Sequence, residues 1–354
     1  MQVSVSLISV SVSNIAFRLL AAAFLAAAIC ACGDADGSLP RAKADADVTA
    51  AVDAFVDATV TVPQQPEFIT LHSVMLLKHG KVIAERWLNG AGPEIPHIMY
   101  SISKTFTAAA AGFAVDEGLL DVDDRVVDFF PDRLPEDVSE NLASMRVRDL
   151  MTMTCGQARE AANVYNREID LEQEFLSAPV EYAPGTHFVY NTLGTYMVSA
   201  ILQKVTGQKV VDYLDTRLFQ PLGIEKPVWE ESPQGINLGG TGLFIKTEDM
   251  AKMGQLLLDG GKWHGKQILS RDWVAQMTSK QVDNARPADK RPDWTQGYGY
   301  FMWLCTHGGV RADGSDGQYI IVLPEKDAVI VLTTSSNMYQ PYLDLVWEYL
   351  YPIL

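Results

Sequence analysis

In Met99-Tyr100-Ser101-Ile102-Ser103-Lys104-Thr105-Phe106 a serine precedes a lysine by three residues, at the head of an alanine-rich apolar segment that runs to Leu120. That composition predicts a buried central helix over 101–120. Positions i and i+3 of a helix share a face, so Ser101 Oγ and Lys104 Nζ can meet. A lysine among apolar neighbours resists protonation, and a neutral amine can act as base to a serine nucleophile. Free backbone N–H groups and the dipole at a helix N-terminus also suit an oxyanion there. Taken alone, the pair is equally compatible with Ser101 as a plain N-cap and Lys104 as a surface residue.

Two further motifs bear on that choice. Pro184-Gly185-Thr186-His187-Phe188-Val189-Tyr190-Asn191-Thr192 sets a tyrosine among short polar residues, just before a predicted helix from about Gly194 to Val205. Tyr190 so placed can shuttle a proton between Ser101 and a leaving group. Its other reading is a core tyrosine after a Pro-Gly turn. Arg311-Ala312-Asp313-Gly314-Ser315-Asp316-Gly317-Gln318 leads into a predicted strand over 318–323. There the glycines let a substrate lie against the strand edge, and the Ser315 N–H can complete an oxyanion hole with that of Ser101. Its other reading is a polar β-turn.

Working outward, the chain splits into a leader, a tether and one large domain. Arg18 precedes an apolar run from Leu19 to Ile29 that is too short to span a bilayer. It ends in Ile29-Cys30-Ala31-Cys32-Gly33, which resembles a bacterial lipoprotein signal: residues 1–31 would be removed and Cys32 lipidated. An ordinary secretory signal is the alternative. Residues 32–46, rich in Ala, Asp and Gly, read as a flexible tether, which leaves 47–354 as the domain. The expected location is therefore the periplasmic side of a bacterial membrane, held there by the N-terminal lipid alone. Cys155 and Cys305 remain in the domain, where export permits a disulfide without requiring one.

Within the domain, Val48, Val52, Phe55, Val56 and Val60 recur at helical spacing and predict a first helix. Two apolar runs, 73–78 and 81–87, joined by His79-Gly80, predict a β-hairpin. Residues 122–238 are mostly helical in pattern and read as a lobe inserted into the first. Gly239-Gly240-Thr241-Gly242 returns the chain to it, and Thr247 is the expected N-cap of a helix through Leu258. Strands are expected over 298–304, 318–323 and 328–333, with a final amphipathic helix from Pro341. Short hairpin connections make the sheet antiparallel.

Composition narrows the function. Hydrophobic content of 48% and charged content of 20% fit a globular chain. A net charge of −16 disfavours nucleic acid and anionic lipid as partners. No Cys-x-x-Cys or His-Glu-x-x-His spacing supports a metal site, and no organic cofactor is implied. A nucleophile elbow of the Gly-x-Ser-x-Gly kind is missing as well.

In order and spacing, Ser101-x-x-Lys104, Tyr190 and Ala312-Asp313-Gly314 resemble the motifs of the class C β-lactamase and D-alanyl-D-alanine peptidase superfamily. The related family VIII esterases belong to the same group. His72-Ser73-Val74, Lys78-His79-Gly80-Lys81 and Tyr298-Gly299-Tyr300 extend the likeness over residues 71–354. The resemblance implies an α/β (α+β) fold of the β-lactamase/transpeptidase type, an antiparallel sheet flanked by helices with an inserted helical lobe. It implies Ser101 as acylated nucleophile, Lys104 as its activating partner and Tyr190 as proton shuttle. Gly314, Ser315, Asp313, Asn191 and Thr192 fall at its oxyanion and substrate positions.

Two departures bear on substrate. Thr192 stands where the family has asparagine, with Asn191 one position early, which looks more like nylon-oligomer hydrolases and some carboxylesterases. Ala312 replaces the lysine or histidine that helps bind a substrate carboxylate. Arg311 is adjacent, but strand alternation points it to the opposite face. His307-Gly308-Gly309 is a second candidate for this third motif.

The expected activity is hydrolysis of a small ester or amide through a Ser101 acyl-enzyme, with β-lactam hydrolysis or D-Ala peptidase activity as the alternative on peptide-like substrates. A non-catalytic envelope lipoprotein with a binding role is a third reading, which the matched serine, lysine and tyrosine disfavour.

Overall fold

The computed structural model describes residues 37–60, 70–286, 288–337 and 339–354. The leader and Cys32 lie outside the described residues. The main sheet has six antiparallel strands: β1 (Thr70–Lys78), β2 (Lys81–Trp87), β3 (Trp303–Leu304), β4 (Val310–Gly314), β5 (Gln318–Leu323) and β6 (Ala328–Ser335). Their order is β2-β1-β6-β5-β4-β3, so the N-terminal hairpin and the C-terminal strands join at β1–β6. The β1–β2 turn is tight because His79 (φ 52°) and Gly80 (φ 70°) are both left-handed.

The longer helices are α1 (Ala46–Thr59), α2 (Ser103–Asp116), α3 (Thr192–Thr206), α4 (Thr247–Leu258), α5 (Arg271–Thr278) and α6 (Tyr339–Leu345). Asp45 starts α1 by accepting the N–H groups of Asp47 and Val48. Val52 and Phe55 then bury its inner face. Emptying a site like Phe55 costs ~3–5 kcal/mol. α4 lies on the sheet through Gly254, where a Cβ would sit 2.5 Å from Val329 Cγ1. Thr247 opens α4 at its first turn rather than as N-cap, and its hydroxyl is 2.8 Å from Ser73 Oγ on β1.

α2 is buried from Ser103 to Ala114, as its composition predicts. Gly112 removes the Cβ that would collide with the Trp273 indole of α5, which donates its N–H to the Ala108 carbonyl at 2.9 Å. The lobe from 122 to 238 packs α3 against α2 with short helices around it.

Three expectations change. Only Trp303–Leu304 of 298–304 is strand, because Phe301 turns left-handed (φ 58°) and its N–H bonds the Met151 carbonyl. Val310–Gly314, read as a turn, is a full strand of the sheet. The second half of the expected tether is docked: Leu39 is buried, and Pro40 and Ala42 exchange hydrogen bonds with Val82 on the outer edge of β2. Arg41 anchors this strap by ion pairs to Glu248 (2.7 Å) and Glu85 (3.2 Å). An open sheet edge is thereby covered. Cys155 and Cys305 are both buried free thiols.

Candidate active site

Ser101 sits in a single 3₁₀ turn, Tyr100–Ile102, that feeds directly into α2. The Met99 N–H bonds the Leu243 carbonyl, so this turn hangs from the short three-stranded sheet formed by residues 97–98, 228–229 and 243–245. Lys104, one turn on, is 1% exposed. Its Nζ lies 2.9 Å from Ser101 Oγ, 2.9 Å from the Gly240 carbonyl and 3.3 Å from Thr192 Oγ1. None of these acceptors is charged. Burial therefore dominates and pulls the amine down to about 7, with the more distant carboxylates of Glu160 and Asp313 opposing.

Tyr190 closes the other side. Its ring stacks on Trp303 (5.6 Å, 17°), and Lys104 Nζ stands 4.9 Å from its centroid. The phenol shares a cavity wall with Ser101, and burial pushes its pKa well above the ordinary tyrosine range, with the neighbouring Ser101 hydroxyl opposing. Ser101, Lys104 and Tyr190, from three separated stretches of chain, thus form one contiguous group.

Asn191 is not part of it. Its carbonyl oxygen caps α3 through the Gly194 N–H (2.8 Å), and its amide donates to Gln157 (2.9 Å) inside the lobe. A buried N-cap is what its place immediately before α3 demands, which corrects the expectation of substrate contact. Thr192 does face Ser101 and shares a cavity wall with it.

Gly314 brings β4 against the nucleophile's turn: a Cβ there would be 2.4 Å from the Met99 carbonyl oxygen. Ser315 consequently stands beside Ser101 in the walls of two cavities. The first, about 490 Å³, is also bounded by Glu160, Tyr165, Thr192 and Thr241. The second, about 240 Å³, is bounded by Tyr190, Arg286, Trp303, Asp313 and Tyr339.

Asp313, not Ala312, belongs to that second wall. Register pairs Ala312 with Ile320, on the side covered by α4, while Arg311 and Asp313 share the opposite face. Arg311 is fully buried, holds Asp313 at 3.0 Å and lies 4.3 Å from the Trp294 ring. His307 is excluded as a third-motif residue, because it stacks on Trp347 (4.6 Å) at the far end of β4.

Glu160 and Gly240 were not legible as site residues. Glu160 sits in an irregular loop and is fixed by the Leu193 N–H at 2.7 Å, a contact with no local sequence signal. Gly240 contributes only a carbonyl, and its Gly-Gly-Thr-Gly setting was the available hint. Among the described residues, no group of three or more His, Cys, Asp or Glu side chains converges to hold a metal ion.

The chain is similar to several known proteins. The 6-aminohexanoate-dimer hydrolase of Paenarthrobacter ureafaciens is 25% identical over 307 residues, covering 80% of this chain and 77% of that protein. An octameric penicillin-binding protein homologue from Pyrococcus abyssi shares the fold (TM-score 0.67, 21% identity, 86% of this chain and 77% of that one). EstCE1, a hydrolase with promiscuous acyltransferase activity, does so as well (TM-score 0.66, 17% identity, 85% and 98%). The model of the Beta-lactamase family matches residues 70–349, and the chain belongs to that family as a serine hydrolase.

Proposed function

We propose that the protein is an exported, lipid-tethered hydrolase that cleaves small esters or amides through an acyl-enzyme on Ser101. The observation that carries this reading is the Lys104 amine, buried, 2.9 Å from Ser101 Oγ and bonded only to neutral acceptors. At neutral pH a large share of it is unprotonated and ready to take the Ser101 proton. The Ser101 oxygen then attacks the substrate carbonyl, and the N–H groups of Ser101 and Ser315 receive the oxyanion. As the tetrahedral species collapses, Tyr190 gives its proton to the departing alkoxide or amine and is reprotonated by the Lys104 ammonium. Water repeats the sequence in reverse roles and frees the acid.

Substrate class follows from charge. The place expected to hold a carboxylate-binding cation is Ala312, and the side chain that does face the cleft there is the Asp313 carboxylate. Glu160 is the one charged side chain in the wall of the larger cavity. Glu160 favours a neutral or donor-bearing substrate over an anionic one in the larger cavity, whereas Asp313 is offset by Arg311 at 3.0 Å and shares its wall with Arg286 and Arg291. The name of the Paenarthrobacter relative, a hydrolase of a dimer of an amino acid, supports keeping amides in the range.

A β-lactamase or D-Ala peptidase reading draws on a different observation. Arg286 borders the smaller cavity, 5.4 Å over the Phe188 ring, and offers a guanidinium to a substrate carboxylate. Turnover of p-nitrophenyl butyrate against penicillin G separates the two. The esterase reading expects rapid ester turnover with no stable penicilloyl adduct on Ser101. Efficient penicillin hydrolysis or a trapped adduct favours the alternative.

A further inference from the structure

Tyr190 lies on an irregular stretch of chain just before α3. Its neighbours tie the backbone down: the Val189 N–H bonds the Met153 carbonyl (2.8 Å) and the Asn191 N–H the Met153 sulfur (3.2 Å). Those bonds place its Cα, while the direction of its ring is left to side-chain packing. The packing partner is Trp303, only 8% exposed, whose indole lies nearly parallel to the phenol ring at 5.6 Å. Trp303 is in turn wedged by the rings of Tyr298 (4.9 Å, 85°) and Phe188 (5.7 Å, 66°). The β3–β4 register pairs it with Arg311, whose buried guanidinium stands 5.6 Å from the Trp303 ring centre and 4.3 Å from that of Trp294. That guanidinium is fixed, because its Nε donates to Asp313 (3.0 Å) and a terminal nitrogen to the Asp293 carbonyl (2.7 Å). A series of cation–ring and ring–ring contacts thus connects β4 through β3 to the phenol that shares a cavity wall with Ser101.

We infer that Trp303, seated against Arg311 by the β3–β4 register, is a positioning residue that aims the Tyr190 phenol at the departing atom of the substrate. The inference rests on the acyl-enzyme reading above. In the step concerned, the phenol O–H bond breaks as the new O–H or N–H bond of the leaving alcohol or amine forms, and the Lys104 ammonium returns a proton to the phenolate oxygen. A misaimed donor matters only where the leaving group needs that proton. p-Nitrophenolate departs as the anion at neutral pH, whereas ethoxide departs only as ethanol. The two butyrate esters give the same butyryl-Ser101, so the ratio of their kcat/KM values, p-nitrophenyl over ethyl, isolates proton donation to the leaving group.

The test measures that ratio, with thermal melts, for wild type, Trp303→Leu, Trp303→Phe, Tyr190→Phe and the Tyr190→Phe/Trp303→Leu double variant. Tyr190→Phe removes the donor and should raise the ratio by at least about 100-fold. Trp303→Leu should raise it by about 10- to 100-fold, and Trp303→Phe, which keeps a ring to stack on, should return it to within about threefold of wild type. The double variant should show no higher a ratio than Tyr190→Phe alone. Where Trp303→Leu does not fold, Arg311→Lys carries the same test: it keeps the charge, loses the planar guanidinium, and should raise the ratio as well. A ratio left unchanged overturns the positioning role, and so do effects that multiply in the double variant. A fall in the ratio also overturns it, since that is what a wall that merely binds the nitrophenyl ring would give. Wild type that neither cleaves the esters nor labels at Ser101 with a fluorophosphonate overturns the acyl-enzyme reading and this inference with it.

Discussion

Lys104 Nζ lies 2.9 Å from Ser101 Oγ inside a cage whose other acceptors, the Gly240 carbonyl and the Thr192 hydroxyl, carry no charge. A surface lysine or a salt-bridged one keeps its proton through neutral pH. This one is drawn down to about 7 by burial, and the chemistry proposed for the site depends on that single electrostatic fact.

The pH dependence should follow from it. Lys104 acts as base only when neutral, so kcat/KM for p-nitrophenyl butyrate should rise with pH through about 7. Tyr190 must keep its proton to serve the leaving group, and its raised pKa puts the alkaline fall beyond the ordinary tyrosine range. The Glu160 carboxylate favours the ammonium form of Lys104. Glu160→Gln should therefore move the acid limb to lower pH, a shift read directly from the kcat/KM profile.

Replacing Lys104 should separate function from stability. Lys104→Met is expected to lower kcat by at least about 10³-fold while raising the unfolding free energy by about 1–2 kcal/mol. In the unfolded chain the lysine keeps its proton up to its ordinary 10.5, but in the fold only up to about 7. Wild-type stability from this group thus falls as pH drops from 10.5 to 7 and levels off below. Urea melts should show the methionine's advantage larger at pH 6 than at pH 9. Lys104→Arg should stay inactive, since a guanidinium does not deprotonate.

Gly314→Ala tests the approach of β4 to the nucleophile. The new Cβ would stand 2.4 Å from the Met99 carbonyl oxygen and 3.0 Å from Gln318 Cβ, so the strand must retreat from Ser101. A displacement on the order of 1 Å at the oxyanion donors should cost about 100-fold in kcat. Steady-state kinetics alongside a thermal melt would show a rate loss larger than the accompanying fall in stability accounts for.

Much of this arrangement was legible in the chain because burial writes itself into periodicity. The spacing of Val52 and Phe55, the His79-Gly80 turn and the apolar length of α2 predict their elements to within a few residues. β4 escaped notice for a physical reason: Arg311 and Asp313 look like a polar turn, yet each neutralises the other on a buried face. The docking of Leu39 and Arg41 on β2 was equally hidden, since one leucine and one arginine in an Ala- and Asp-rich stretch carry no periodic signal. At the site, motif order pointed to Ser101, Lys104 and Tyr190. Glu160 and the Gly240 carbonyl arrive through tertiary structure alone.

The most direct test is the covalent state of Ser101. The full-length protein, incubated with a fluorophosphonate and digested for mass spectrometry, should carry the phosphonyl adduct on Ser101. Labelling should vanish in Ser101→Ala and slow sharply in Lys104→Met. Folded wild-type protein that stays unlabelled, or labels at another residue, would contradict the assignment of Ser101 as nucleophile.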